Sequence, residues 1–249
     1  PEAVQTLLAA FATIDAGGGA VSDIIGAGII PAAIEMMDTL AIQAAEAAVH
    51  PNFPPADTVL IVELDGPAAE VAALFSVVHD ICKRRGATTI EVAQNDEQRM
   101  RIWRGRKAAF AAMGRVSQNY YVQDGVVPRT RLPEVLNRIR QLEARSGLRI
   151  ANVFHAGDGN LHPLICYDER VPGEADRAVA VAAEILSYCI EAGGSLTGEH
   201  GIGADKSQYM PSMFSADDLD VMQRVREAFD PRGLSNPGKV FPTPRLCGE

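Results

Sequence analysis

Residues 148–167, LRIANVFHAGDGNLHPLICY, decide the fold. Two apolar runs, Leu148–Phe154 and Leu161–Tyr167, flank an Asp-Gly pair, the dipeptide that type I′ hairpin turns favour. A two-residue turn at Asp158-Gly159 sets 157 opposite 160, 156 opposite 161 and His155 opposite His162, with Cβ atoms about 5 Å apart on one face of the sheet. Two imidazoles at that separation suit one metal ion or one anionic ligand. Because Ile150, Val153, Phe154, Leu164 and Ile165 are apolar, the polar residues gather at one end of a buried strand pair, where histidines need partners.

Outward from the hairpin, strand and helix patterns alternate. Before it, strands are predicted over Val4–Thr13, Ile34–Met37, Thr58–Leu64, Thr88–Val92 and Asn119–Gln123. Helices are predicted over Asp15–Ala27, Thr39–Val49, Ala68–Arg85, Asp96–Met113 and Leu132–Ala144. After it come a helix over Glu174–Ala192 and two shorter ones from Asp205 and Ser215. Such strand-helix-strand passes mixed with hairpins indicate one compact α+β domain, a ferredoxin-like, largely antiparallel sheet with helices packed on one face and a C-terminal helical segment. The two halves could be a duplicated ferredoxin-like unit, although no residue-level repeat is visible.

The 249 residues suffice for a sizeable core, and 47% hydrophobic with 22% charged residues is ordinary for a globular protein. A formal net charge of -9 argues against a nucleic-acid footprint. The basic cluster Lys83-Arg84-Arg85 reads as a helix end complementing the dipole. No apolar run reaches the roughly 20 residues needed to cross a bilayer, and no signal peptide is visible. Cys82, Cys166, Cys189 and Cys247 have no metal-finger spacing, so free thiols in a reducing cytoplasm are expected. Asp15-Ala16-Gly17-Gly18-Gly19 lacks the Gly-Lys-Ser/Thr of a phosphate loop, and G-x-G-x-x-G is absent. The chain starts at Pro1 without Met, so a fragment, a processed product or a trimmed sequence is expected.

Glu199 and His200 sit between glycines in GEHGIG. With His155 and His162, Glu199 makes a two-histidine, one-carboxylate set that leaves positions open for substrate, and zinc, iron(II) or manganese(II) fit it. Adjacent residues seldom both ligate one ion, so His200 is freer to act as a base, and its reference pKa near 6.5 suits that role. On the helix RIWRGRKAAF, Trp103 and Arg106 share a face, while Arg104 and Lys107 form the next stripe. Arg106 could clamp a carboxylate through a bidentate pair, although a solvated basic face has the same composition. Asn236-Pro237-Gly238-Lys239 is, by composition, a turn.

HAGDGNLH, GGSLTGEHGIG and AFDPRGLSNPGKVF, in this order and spacing, resemble the C-terminal half of the FAD-linked oxidases of the vanillyl-alcohol oxidase superfamily. Among these the chain is most similar to the catalytic subunit of glycolate oxidase and to the D-lactate and D-2-hydroxyglutarate dehydrogenases. The likeness runs from about Val4 to Pro242 and takes in FATIDAGGGAVSDII, GIIPAAIEMMD and WRGRKAAF. It implies that residues 1–249 are the substrate-binding cap domain, with the N-terminal FAD-binding domain absent from this chain. It further implies His155, His162 and Glu199 as metal ligands, His200 as the catalytic base and Arg106 as the substrate-carboxylate anchor. Asn236 and Lys239 would approach the flavin. Leu164 stands where some metal-dependent relatives carry a polar residue, which favours a small substrate such as glycolate or lactate.

The function so implied is FAD-dependent oxidation of a small 2-hydroxy acid to the 2-keto acid, with the FAD bound mainly by the missing domain and a divalent metal in this half. The implied partners are the FAD-binding domain, other oxidase subunits or a second copy. The expected location is the cytoplasm, free or peripheral to the inner membrane. Rival readings of the same residues are a non-catalytic metal- or acid-binding module and a metal-dependent hydrolase.

Overall fold

The structure, a computed structural model, describes residues 1–242. Cys247 lies outside the described residues. Strands β1 (Ala3–Phe11), β2 (Ala33–Asp38), β3 (Thr58–Gly66) and β4 (Ala87–Val92) pair antiparallel in the order β4-β1-β3-β2. Helices α1 (Ile14–Gly26) and α3 (Ala68–Arg84) make the crossovers, which completes a ferredoxin-like unit with α2 (Thr39–Val49) inserted between β2 and β3.

After α4 (Asp96–Ala112) the order repeats. β5 (Asn119–Val122) and β6 (Gly125–Val126) act as one interrupted strand, followed by α5 (Leu132–Ser146) and β7 (Ile150–His155). β8 (Asn160–Leu161) and β9 (Pro163–Tyr167) form the next interrupted strand, followed by α6 (Glu174–Glu191). β9 and β8 pair with β7 on one side and with β5 and β6 on the other. The fourth strand of this unit is a single bridge, Val126 to Ser195. The expected duplication is therefore present in topology, and β2 joins β7 antiparallel to fuse the halves into one sheet.

Alternation along the strands explains the layers. In β1, Leu7, Ala9 and Phe11 enter one apolar core with residues of α1, α3, α5 and α6, while Leu8 and Ala10 enter a second with α2 and α4. The four crossover helices thus share a face, as expected. The expectation that all helices lie on one face is corrected by α2 and α4, which cover the other; both faces of the strands are apolar, so both must be buried. Gly105 lets α4 come in close, because a Cβ there would lie 2.5 Å from the Phe53 ring.

Two local differences from the sequence reading matter. The hairpin turn spans four residues, Ala156–Gly159, and His155 pairs with Asn160 rather than with His162. The loop is fixed by its neighbours: Gly157 N–H donates to Ile34 O at 3.0 Å and Val127 N–H to Gly159 O at 2.9 Å. The segment after Asp205 is a 3-10 turn at Ser207–Ser212, and a longer helix, α7 (Ala216–Phe229), starts from a capping box of Ser215 and Asp218.

Candidate active site at the histidine hairpin

The register that displaces His162 from His155 keeps both on one face, since a shift of two residues preserves side-chain direction. That face is the one α4 covers. Glu35 of β2 lies directly across from His155, which lies across from Asn160. Continuing the β5–β9 and β6–β8 register puts Asp124 across from His162, one rung further along. Pro163 has no N–H to donate, and the strand is interrupted at His162 beside it.

The imidazoles of His155 and His162 meet edge to face, with centroids 5.4 Å apart, and His200 stacks on His162 at 5.1 Å with planes 4° apart. Glu199 Oε1 is 3.6 Å from His155 Nε2, 3.1 Å from His162 Nε2 and 4.0 Å from His200 Nε2. Phe110 of α4 closes the inner side against the His162 ring, with centroids 6.0 Å apart. His162 is buried, whereas the Glu199 and His200 side chains are half-exposed. One ligand atom each from His155, His162 and Glu199 fits within a 4.8 Å span.

The fit to a divalent cation can be tested on His162. Both of its ring nitrogens are buried without a hydrogen bond, although Nε2 lies 3.1 Å from Glu199 Oε1 and 3.7 Å from Asp124 Oδ1. A buried imidazole with neither nitrogen satisfied is costly unless something else uses its lone pair. Two neutral imidazoles and a carboxylate are a suitable donor set for zinc, iron(II) or manganese(II). The residues present therefore fit such an ion.

Two buried carboxylates that sequence reasoning missed hold this arrangement. Glu35 binds His155 Nδ1 at 2.8 Å and, through its other oxygen, Arg106 Nε at 3.0 Å and Nη2 at 2.9 Å. Hydrogen bonding to Glu35 raises the His155 pKa above its usual value, against the opposing effect of burial. The signal in the sequence was a lone charge inside the apolar strand AIEMM.

Asp124 holds the opposite side. Burial alone would raise its pKa, but the adjacent His162 imidazole, hydrogen bonds from Thr197 and Gly198, and the Lys206 charge outweigh this and leave it lowered. Its carboxylate accepts the backbone N–H groups of Gly198 at 3.0 Å, Glu199 at 3.3 Å and His200 at 3.1 Å, and the Thr197 hydroxyl at 2.5 Å. The buried Lys206 ammonium lies 3.2 Å from the same carboxylate and also donates to the Asp124 and Leu196 carbonyls. Gly198 is required here, because a Cβ would lie 2.4 Å from the Asn160 side chain.

Arg106 is buried and shares Glu35 with His155, so the structure does bring the expected carboxylate anchor to the histidines. Trp103, on the same helix face, donates instead to Glu63, and Arg104 and Lys107 are exposed. Asn236 and Lys239 are exposed on the C-terminal turn, which Arg226 holds through the Ser235, Asn236 and Lys239 carbonyls. That turn reaches the GEHGIG loop through Val240 N–H on Gly203 O. The cluster is open on the side of Glu199 and His200, whose side chains are half-exposed.

This fold, with this cluster on the hairpin, belongs to an identifiable class. The chain is a member of the family described as FAD linked oxidases, C-terminal domain, whose model matches residues 1–240. It is 48% identical over its full length to the glycolate oxidase subunit GlcD of Escherichia coli K12, covering 50% of that protein. Over 97% of its length it is 29% identical to a probable mitochondrial D-lactate dehydrogenase of Danio rerio, of which it covers 49%. The chain thus spans about half the length of these relatives. Among solved structures, p-cresol methylhydroxylase superposes with a TM-score of 0.71 at 14% identity, covering 97% of this chain and 53% of the other, which shows a shared fold. The family resemblance noted in the sequence is borne out.

Proposed function

We propose that this chain is the substrate- and metal-binding half of an FAD-dependent oxidoreductase that converts a small 2-hydroxy acid, of the glycolate or D-lactate type, to its 2-keto acid. The observation that carries the proposal is the convergence of His155, His162, Glu199 and His200 at one open face, with both His162 nitrogens unsatisfied and Arg106 one carboxylate away. The names of the relatives supply the substrate class, and Leu164 favours a small member of it.

His155, His162 and Glu199 would hold a divalent cation, which supplies Lewis acidity, while FAD, bound mainly by the other half of the protein, supplies the hydride acceptor. Arg106 uses Nε and Nη2 on Glu35, and its other Nη would be the donor offered to the substrate carboxylate. His200, half-exposed and stacked on His162, takes the proton from the substrate. Asn236 and Lys239, exposed on the C-terminal turn, would help to hold the flavin. His162 and Phe110 shield the inner side of the site from water.

The partners in this reading are the FAD-binding half and, by analogy with a relative named as a subunit, other oxidase subunits. No helix among the described residues is long and apolar enough to cross a membrane, and Cys82, Cys166 and Cys189 are buried free thiols. Both are in keeping with a cytoplasmic enzyme, free or peripheral to the inner membrane.

The test is anaerobic reduction of the flavin in the whole protein by glycolate and by D-lactate. Bleaching by either is the expected result, and the rate should fall by roughly 10²–10⁴-fold in His200→Ala with flavin content retained. A His200→Ala enzyme with near-normal turnover overturns the base assignment, and no bleaching by any 2-hydroxy acid overturns the substrate class.

A further inference from the structure

Glu35 is a buried acidic residue that the strand pattern alone does not call for. It is 6% exposed, flanked by apolar Ile34 and Met36 on its strand, and its two oxygens serve two different functional side chains. An imidazole has two nitrogens, and only the one without a proton can be a metal ligand. A proton on His155 Nδ1, donated to Glu35 Oε1, leaves the lone pair on Nε2. That is the nitrogen turned towards Glu199, at 3.6 Å. The pairing is built into the sheet, because Glu35 and His155 are direct cross-strand partners on the face that α4 covers.

Arg106 supplies the counter-charge for a carboxylate buried there. Its guanidinium reaches Glu35 Oε2 from α4 through Nε and Nη2, and it is 7% exposed, so charge is balanced within the buried layer. With that charge compensated, Glu35 orients His155 without itself needing to join the ligand set. Asn or Gln in its place could accept the same hydrogen bond but would leave the guanidinium unpaired; an apolar residue could do neither.

We propose that Glu35 is a positioning residue: it fixes His155 in the tautomer with a proton on Nδ1 and thereby presents Nε2 to a divalent cation shared with His162 and Glu199. The inference rests on the reading of these three residues as a metal site. Carboxylates behind ligand histidines commonly set tautomer and ring direction, and their loss typically weakens metal binding roughly 10–100-fold.

The experiment uses the whole protein, stripped of metal, as wild type, Glu35→Gln and Glu35→Leu. Long-range ¹⁵N couplings report the His155 tautomer, and chelator competition with Zn²⁺ reports affinity. The expected result is the Nδ1–H tautomer in wild type and in Glu35→Gln, a mixed or inverted tautomer in Glu35→Leu, and Zn²⁺ binding weakened by roughly 10–100-fold in Glu35→Leu with most of it recovered in Glu35→Gln. A wild-type His155 protonated on Nε2 overturns the proposal without recourse to any variant. So does a folded Glu35→Leu protein that keeps both the wild-type tautomer and the wild-type affinity. Failure of the wild type to bind Zn²⁺ while His155 is in the Nδ1–H tautomer overturns instead the reading of the cluster as a metal site.

Discussion

The two ferredoxin-like halves differ most at their fourth strand, and the difference locates the chemistry. In the first half β4 is complete, and the polar cluster under α4 is saturated. Glu63 accepts from the Thr6 hydroxyl at 2.7 Å, from Arg99 at 2.7 and 2.8 Å and from Trp103 Nε1 at 2.7 Å. In the second half the fourth strand shrinks to the Val126–Ser195 bridge, and the chain released there folds back as the GEHGIG loop over His155 and His162. That cluster is unsaturated, with neither His162 nitrogen hydrogen-bonded. One helix walls both: Arg99 and Trp103 of α4 serve the first, Arg106 and Phe110 the second. A closed network stabilises; an open one is where a ligand can be bound.

The largest effect that would break this comparison is at Asp124, which ties the released loop to the sheet. Asp124→Ala strands the buried Lys206 ammonium and frees three backbone N–H groups, a loss of about 3–5 kcal/mol, or roughly 10 °C in Tm, together with weakened metal binding. Thermal melting and metal titration check it; a Tm within a degree of wild type would mean the loop is held by something else.

Glu63 sharpens the contrast from the other side. Burial raises its pKa but its hydrogen bonds from Arg99, Thr6 and Trp103 outweigh this, so it is ionised and its role is stability. Glu63→Ala should cost about 1–3 kcal/mol by denaturant unfolding and leave metal affinity unchanged. A parallel fall in metal affinity would show that the two clusters are coupled through α4.

The smallest effect concerns Asp38, the N-cap of α2, whose side chain also holds Asn152 of β7. Burial raises its pKa to about 6 against the hydrogen bonds that favour the anion. A folded-state pKa above the unfolded one, near 3.9, means stability fully present below that value and lost as pH rises through about 6. Asp38→Asn, which keeps a good N-cap, should flatten the decline between pH 4 and 7 in urea-unfolding free energy. An unchanged slope would place the titration elsewhere.

Most of this architecture was legible in the sequence because it is local. Period-2 and period-3.6 patterns with caps place α2 at Thr39–Val49, the bounds observed, and most other elements within a few residues. The hairpin register was not legible. The Asp-Gly signal describes an isolated two-residue turn, whereas bonds from Gly157 to Ile34 and from Val127 to Gly159 hold a four-residue one. The histidine cluster survived that difference because a two-residue slip keeps the same face. Glu35 and Asp124 escaped because their partners lie 120 and about 75 residues away, beyond any periodicity. The second helical layer escaped for the same reason: apolar residues on both faces of a strand say that something covers them, and only the tertiary path says that α2 and α4 do.

The central claim, that the open cluster is a divalent-cation site, is tested most directly by anomalous diffraction from crystals of the whole protein grown with Mn²⁺. The account predicts an anomalous peak bounded by His155, His162 and Glu199, lost in His162→Ala. Full Mn²⁺ occupancy elsewhere with no peak between these three side chains would contradict it.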